Sequence, residues 1–328
     1  MADIAVSFLH EQLLDRRQRL TSAVTWAPDE RHLRQLLSDV DAALARMDQG
    51  TFGICDVCHE PVEASRLMAD PLVRYCLDHL TAAERSALEY DLQAAAGLQR
   101  GLLPPAETRH DGWQVAHQYR PLGPVSGDYC DLAVDEAPER ALFFFLGDVS
   151  GKGVAASMLT AQLHAIFGSL VARRLGVAPL MTEAGHIFGR SSLSPFFATL
   201  VGGRVGAGGR LEIANAGHCP PLLLRGQEVS RLEASGVPLG MFANGDYRAE
   251  QLQLDPGDVL LIYTDGLTEA RDAQDEEYGE ERVIDSIRRA SHSNARDVVN
   301  ASLAGLEQFL GGSAPSDDLT VMAIRRSN

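Results

Sequence analysis

The chain has 328 residues, 45% of them hydrophobic and 23% charged, with a formal net charge of −16. That length suits about two domains of 100–200 residues each, and the composition is that of a globular protein. The acidic balance argues against a nucleic-acid partner, which needs clustered Lys and Arg, and no apolar run is read as approaching the ~18 residues of a membrane span.

Residues 4–24 place Phe8 or Leu9, Leu13, Leu20 and Val24 on one helical stripe. Residues 29–48 repeat the pattern with Leu33, Leu36, Leu37, Val40, Leu44 and Met47. Between them, Thr25-Trp26-Ala27-Pro28-Asp29 ends in a proline and an acid suited to a first helical turn, so an antiparallel helical hairpin is expected. Gly50 and Gly53 close the second helix. Residues 80–103 return to helix, with Leu88, Leu92, Ala95, Leu98 and Leu102 in a near-heptad seam that Pro104-Pro105 stops. The seam fits a homodimer interface or a face packed on the next domain, and the sequence leaves both open. After Pro105 short strand-like runs appear at 113–119, 141–149, 197–205, 211–214, 221–224, 259–264 and 319–325. Helical stretches near 154–174, 178–190, 280–290 and 295–310 interrupt them, an α+β pattern. Residues 206–209 read as a turn between two strands. The expected organisation is a module at 1–80, a helical linker at 81–105 and a larger domain at 106–328.

Cys55-x-x-Cys58 is followed, with 17 residues between, by Cys76-x-x-His79. Two such knuckles each offer two soft donors about a turn apart and together close a tetrahedron, which is a zinc signature. Four protein ligands leave no open position, so the zinc is expected to be structural. His59 competes for the fourth place but adjoins Cys58, where joint coordination is awkward. A redox dithiol or a free-thiol loop are the plainer alternatives. Five cysteines with this spacing speak for a reducing compartment, and Glu11 and Asp15 near the start do not fit a secretory signal, so the cytoplasm is expected. Around this site the chain resembles the DksA/TraR zinc-finger family, through the hairpin, Gly50-Thr51-Phe52-Gly53-Ile54-Cys55, and the segment from Arg66-Leu67 to Cys76. The resemblance implies a zinc fold and raises RNA polymerase as a partner, with Asp29 and Glu30 near the hairpin tip.

Four further motifs carry aspartates: Ser126-Gly127-Asp128-Tyr129-Cys130-Asp131, Gly147-Asp148-Val149-Ser150-Gly151-Lys152-Gly153, Tyr263-Thr264-Asp265-Gly266 and Ser316-Asp317-Asp318-Leu319-Thr320. Two of these aspartates follow strongly apolar strand runs. Aspartate is a poor strand residue and a buried lone carboxylate is costly, so these positions call for a cation or a donor. Several converging carboxylates make a hard-oxygen site suited to magnesium or manganese. A lone Asp-Gly would mark only a turn.

The ordered set GDYxD, GDVSGKG, ANAGHxP, PLG, YTDGLTEAR and DDLT, entered by Leu98-Gln99-Arg100-Gly101-Leu102-Leu103-Pro104, resembles the SpoIIE/RsbU-like branch of the PPM (type 2C) metal-dependent protein phosphatases. The resemblance implies a β-sandwich of two antiparallel sheets flanked by helices, holding two manganese or magnesium ions. It implies that Asp148 bridges the metals, that the Val149 carbonyl adds an oxygen, and that Asp128, Asp265 and Asp317 or Asp318 complete the set, Asp317 being preferred. The implied activity is hydrolysis of a phosphoserine or phosphothreonine without a phosphoenzyme, on a phosphorylated STAS-type anti-sigma-factor antagonist, gated by the zinc module. The rival reading is a non-catalytic DksA/TraR-like regulator of RNA polymerase. His218, which could assist protonation, is read rather as structural, Lys152, the only lysine, which could meet phosphate, rather as a loop residue, and Cys130 and Cys219 as buried small residues rather than oxidation sensors.

Overall fold

The structure, a computed structural model, describes residues 2–26, 30–135, 140–191, 196–242, 245–290 and 294–327. The expected Ala27-Pro28-Asp29 turn lies outside the described residues, as does the side chain of Phe8. The chain divides into two compact units, Met1–Tyr90 and Asp91–Asn328.

In the first unit, α1 (Ala2–Trp26) and α2 (Arg31–Asp48) form a helical pair. They bury part of the stripe read from sequence: Leu13, Val40 and Leu44 meet, together with Ala43, which was not in it, and Leu20 and Met47 lie alongside, while Leu33, Leu36 and Leu37 are half-buried. The Arg17 guanidinium donates to Asp41 at 2.6 Å across the pair. A short α3 (Ala64–Ala69) and a single 3₁₀ turn (Leu77–His79) follow the cysteine knuckles.

Helix α4 (Ala82–Leu102) crosses the boundary between the units. Its start is a capping box: Glu84 N–H donates to Thr81 Oγ1 at 3.2 Å, and Thr81 N–H donates to Glu84 Oε2 at 2.9 Å. Within one chain the near-heptad seam is only partly covered. Ala96 and Gln99 are buried and Leu92 and Ala95 half-buried, whereas Leu88, Leu98 and Leu102 are exposed, Leu98 at 75%. Small residues beside one buried carboxamide set the packed face, because they admit close approach; the leucines do not.

The second unit is a four-layer sandwich. One sheet has six strands in the order β1 (Glu107–His110), β2 (Trp113–Arg120), β11 (Leu319–Arg326), β10 (Val259–Tyr263), β7 (Leu222–Arg225), β8 (Glu228–Arg231). The other has five: β3 (Asp128–Val134), β4 (Leu142–Val149), β5 (Ala198–Val205), β6 (Arg210–Ala216), β9 (Glu250–Gln253). Every neighbouring pair is antiparallel. Helices α5 (Val154–Val171) and α6 (Val177–Ser191) cover the outer face of the second sheet, and α8 (Gly279–Arg289) and α9 (Ala295–Leu310) cover that of the first. A one-turn α7 (Asp265–Thr268) follows β10.

Three cores separate these layers, and the period-2 alternation of strands sorts residues among them. In β4, Phe143 and Phe145 pack under α5 and α6, while Phe144 and Leu146 lie between the sheets. A strand buried on both faces needs an unbroken apolar run, and this explains Leu142-Phe143-Phe144-Phe145-Leu146. The four short or polar strands β1, β3, β8 and β9 were not apparent from sequence. All four lie at sheet edges; β1, β8 and β9 are short with exposed residues, and β3 carries its aspartates inside the strand.

The reading that no apolar run approaches a membrane span is corrected by α5. It has 18 residues, no Asp, Glu, Lys or Arg, and a mean hydropathy of 1.5, so length and composition alone would let it cross a bilayer. Its apolar residues have a place in the core: Leu163, Ile166, Phe167, Leu170 and Val171 are buried against the sheet and α6.

Leu163→Ala is expected to destabilise the second unit by about 2–5 kcal/mol, whereas Leu98→Ala, on the exposed side of α4, should change it by no more than about 0.5 kcal/mol. Urea unfolding followed by fluorescence reports this, since Trp113 is buried and Trp26 is 89% exposed.

Candidate metal centres

In the first unit, Cys55, Cys58, Cys76 and His79 bring their donor atoms within 4.8 Å of one another. Cys58 Sγ and Cys76 Sγ are 3.8 Å apart, and Cys76 Sγ lies 3.2 Å from His79 Nδ1. Zinc–sulfur bonds of ~2.3 Å at tetrahedral angles put sulfurs ~3.8 Å apart, so the cluster has the dimensions of a zinc site. Its first knuckle is shaped by His59 at φ 61°, whose N–H donates to Cys55 O at 3.0 Å. His59 itself is exposed and outside the cluster, leaving His79 as the fourth donor. Burial pushes the Cys55 thiol up, but main-chain hydrogen bonds at Cys58, Cys76 and Val57 outweigh it and bring it to about 6; burial and the neighbouring thiols push Cys76 up. The knuckle is thus biased toward one thiolate even without an ion.

In the second unit, the β3–β4 register sets Asp128 opposite Asp148. Facing partners in antiparallel strands share one side of the sheet. Alternation turns Tyr129 toward the α5–α6 layer and Cys130 between the sheets, so the even-numbered Asp128 and Asp148 fall at the mouth between the sheets. Asp131 belongs to the other face, where its carboxylate lies 3.1 Å from His164 Nδ1 and accepts from Tyr129 Oη at 3.2 Å. The opposite sheet reaches the same mouth. Thr264 Oγ1 and Thr320 Oγ1 donate to Asp128 Oδ2 at 3.1 and 2.5 Å, and Thr264 N–H donates to Thr320 O at 3.0 Å. Sequence reasoning passed over these threonines, although each stands in an aspartate motif, one before Asp265 and one two places after Asp318.

Asp265 opens α7 just after β10. Gly266 beside it is obligatory: a Cβ there would stand 1.9 Å from Asp318 O. That close approach brings the third and fourth motifs together. The two neighbouring aspartates behave differently. Asp318 spends both oxygens on main-chain amides, accepting from Leu122 N at 2.7 Å and Gly127 N at 3.0 Å. Asp317 instead meets the exposed Lys152 ammonium at 2.9 Å.

The carboxylates feel one another. Burial, then Asp265, Asp317 and Asp318, push Asp148 up to about 7, with Lys152 pulling the other way. Burial and Asp317 raise Asp265, and burial holds Asp128 well above its usual range despite the Thr320 hydroxyl. His218 is 5% exposed, held by Thr199 Oγ1 at 2.8 Å and by both ends of the Asn215 amide, and burial lowers it to about 4. The two Asn215 bonds are to the His218 main chain, and burial favours the neutral imidazole. Cys130 is fully buried and pushed up by burial, and Cys219 is raised to about 12 by burial and Asp265, so neither is a ready thiolate.

Residues 138–327 match the family described as Stage II sporulation protein E (SpoIIE). The chain belongs to the SpoIIE family. Residues 50–78 match the prokaryotic dksA/traR C4-type zinc finger. That match ends one residue short of His79, which stands here where the fourth cysteine of a C4 set would. Among relatives of this SpoIIE-family chain, protein IcfG of Synechocystis sp. (strain ATCC 27184 / PCC 6803 / Kazusa) is 27% identical over 275 residues, covering 72% of this chain and 42% of IcfG. Phosphoserine phosphatase RsbU of Bacillus subtilis (strain 168) is 22% identical over 244 residues, covering 73% of this chain and 71% of RsbU. The chain therefore spans less than half of one of these relatives and about seven-tenths of the other. The SiaA-PP2C domain of Pseudomonas aeruginosa superposes with a TM-score of 0.63 at 24% identity, covering 75% of this chain and 99% of that domain. The fold is that of the PP2C phosphatases: two antiparallel sheets with flanking helices.

Asp148 titrates at about 7 in the folded, ion-free chain against 3.8 for an unperturbed aspartate. Folding therefore favours its protonated form, and the stability this lends is complete below 3.8 and lost as pH rises through about 7. Calorimetry of chelator-treated protein should show the second unit melting lower at pH 8 than at pH 5. Asp148→Asn should flatten that decline, and equal slopes for the two proteins would count against the crowded-carboxylate account.

Proposed function

We infer that this chain is a metal-dependent protein serine/threonine phosphatase. The observation that carries the reading is the meeting of Asp128, Asp148, Asp265 and Asp317 at one mouth of the sandwich, with Lys152 as the cation beside them. The donor set fits magnesium or manganese. It is all oxygen, its carboxylates are raised by burial and mutual repulsion, and a cation relieves both. The cradle is narrow: a Cβ on Gly127 would stand 3.0 Å from both Asp148 Oδ1 and Val149 O. Asp128, Asp148, the Val149 carbonyl, Asp265 and Asp317 are the residues that would hold two such ions. Asp318, with both oxygens on main-chain amides, fixes the Gly127 turn.

When bound, such ions acidify water and neutralise phosphoryl oxygens. The chain supplies the rest. Thr264 and Thr320 orient Asp128, and Gly266 lets the Asp265 and Asp317 segments close on each other. Lys152, exposed at the rim, offsets carboxylate charge and is placed to meet an entering phosphoryl group. His218 is buried, with its Nδ1 on Thr199 Oγ1.

The substrate class follows from kinship. RsbU and RsbP of Bacillus subtilis (strain 168) are named phosphoserine phosphatases, and the SpoIIE/RsbU-like resemblance points to a phosphorylated STAS-type anti-sigma-factor antagonist. The module at 1–80 holds one structural zinc at Cys55, Cys58, Cys76 and His79 and gates the phosphatase at 106–328 through the helical linker at 81–105. Free cysteines throughout the chain favour the cytoplasm. A non-catalytic polymerase regulator is the weaker reading, because a scaffold has no need to keep mutually repelling carboxylates.

Phosphate release from a phosphoserine peptide should require manganese or magnesium, and Asp148→Asn should lower it by about a hundredfold or more; release that ignores both would sink the phosphatase reading. Metal analysis should find one zinc per purified chain and none in Cys76→Ser, with the first unit losing helical signal in that variant.

A further inference from the structure

Among the described residues of α4, Gln99 is the one buried polar side chain, 9% exposed. A leucine or methionine would fill the same space without the cost of burying a carboxamide. Every polar atom of that carboxamide is used. Nε2 donates to Ser126 O at 2.8 Å and to Thr160 Oγ1 of α5 at 3.1 Å, while Oε1 accepts from Ser126 N–H at 3.0 Å. Ser126, itself fully buried, is thus gripped at both its main-chain groups by one side chain.

The grip passes directly to the carboxylates. Ser126 Oγ accepts from Asp128 N–H at 3.0 Å, which fixes where β3 begins. Between them, Gly127 accepts from Val149 N–H at 3.0 Å and donates to Asp318 Oδ2 at 3.0 Å. The turn from Ser126 to Asp128 is therefore pinned from three sides: by α4 through Gln99, by β4 through Val149, and by the DDLT segment through Asp318. Of the three, only Gln99 belongs to no aspartate motif.

We propose that Gln99 is a positioning residue of the phosphatase centre, holding the Ser126-Gly127-Asp128 turn so that Asp128 and the Val149 carbonyl stand ready for the metal ions. The proposal rests on reading the aspartates as a manganese or magnesium site. Gln99 touches no reacting atom. It sets how much of the site must be organised when an ion arrives, and so its contribution falls on metal affinity more than on turnover once metal is saturating.

The test is manganese binding by isothermal titration calorimetry on the full chain, together with melting temperature and phosphate release at limiting and saturating manganese. The proteins are wild type, Gln99→Met, Gln99→Glu and Ser302→Ala. Ser302, buried in α9 with its hydroxyl on Val298 O, serves as a destabilising control away from the carboxylates. Gln99→Met keeps the bulk and loses both Ser126 bonds; it should weaken manganese binding by about tenfold and regain most of its rate at saturating metal. Gln99→Glu keeps an acceptor for Ser126 N–H and should fall between it and wild type. If Gln99→Met does not fold, Gln99→Glu carries the same comparison. Wild-type affinity in the Gln99 variants, or a loss no greater than that of an equally destabilised Ser302→Ala, overturns the proposal. A wild-type chain that binds no manganese instead removes the reading of the aspartates as a metal site, an outcome plainly different from unaltered binding in the variants.

Discussion

Repulsion between carboxylates at the mouth of the sandwich is the constraint to which the rest of the second unit answers. Facing strand partners sit about 5 Å apart at their Cβ atoms. Two charges at that spacing repel by ~3 kcal/mol at an effective dielectric near 20, and Asp265 and Asp317 add to the same field. Left to itself such a cluster would splay or protonate. It is held because the strands bearing it are anchored on both faces just behind the carboxylates: Phe144 and Leu146 between the sheets, Phe143, Phe145 and Val149 under the helices. Each such side chain contributes about 1.5–3 kcal/mol by burial, so a handful of them outweighs the repulsion. Burial first, and the remaining repulsion second, raise Asp148, and a divalent cation would relieve both.

The two clusters differ in donor softness, and on the proposed reading this difference would suit one chain to two kinds of ion. Three thiols and an imidazole at tetrahedral spacing select zinc, whereas carboxylates and a carbonyl select magnesium or manganese. Their local frames differ to match. The cysteine knuckles draw on main-chain amides, which stabilise a thiolate and need little hydrophobic support. The aspartates draw on strand register, which needs a large core. The size of the two units follows: about ninety residues suffice for a helical pair and knuckles, while the oxygen site requires two sheets and four covering helices.

The elements most readable in the sequence were those governed by one periodic signal. The helical pair announced itself through apolar spacing and β4 and β10 through unbroken apolar runs, and helical stretches were also read near α5, α6, α8 and α9. The aspartates were legible because carboxylate next to glycine after an apolar strand makes poor structural sense otherwise. What stayed hidden was whatever depends on register or on contacts distant in sequence. Strand β3 was not among the strand-like runs because its aspartates are unfavourable in strands, yet ladder pairing with β4 overrides that preference. The division of labour between Asp317 and Asp318 is invisible in a DD dipeptide and follows only from which amides stand nearby. Thr264 and Thr320 were hidden for the same reason, being 56 residues apart and adjacent only once β10 and β11 pair.

Helix α4 shows another limit of apolar spacing as a signal. Leucines at near-heptad spacing promised an apolar seam, but the packed face is built on Ala95, Ala96 and Gln99, and Leu98 faces outward. Hydrophobicity alone rewards burying leucine, so the orientation must be set by something directional. The only directional group on the buried side is the Gln99 carboxamide, whose bonds to Ser126 and Thr160 admit one rotation of the helix, since a residue's step is 100° around the axis and a neighbouring position would point the amide elsewhere. The capping box fixes the other end of the same helix at Thr81 and Glu84. A helix specified at both ends by polar geometry, with leucines left over, has its rotation chosen for alignment rather than for maximal burial. That choice gives the position of the Ser126–Asp128 turn priority over the apolar area left uncovered within one chain.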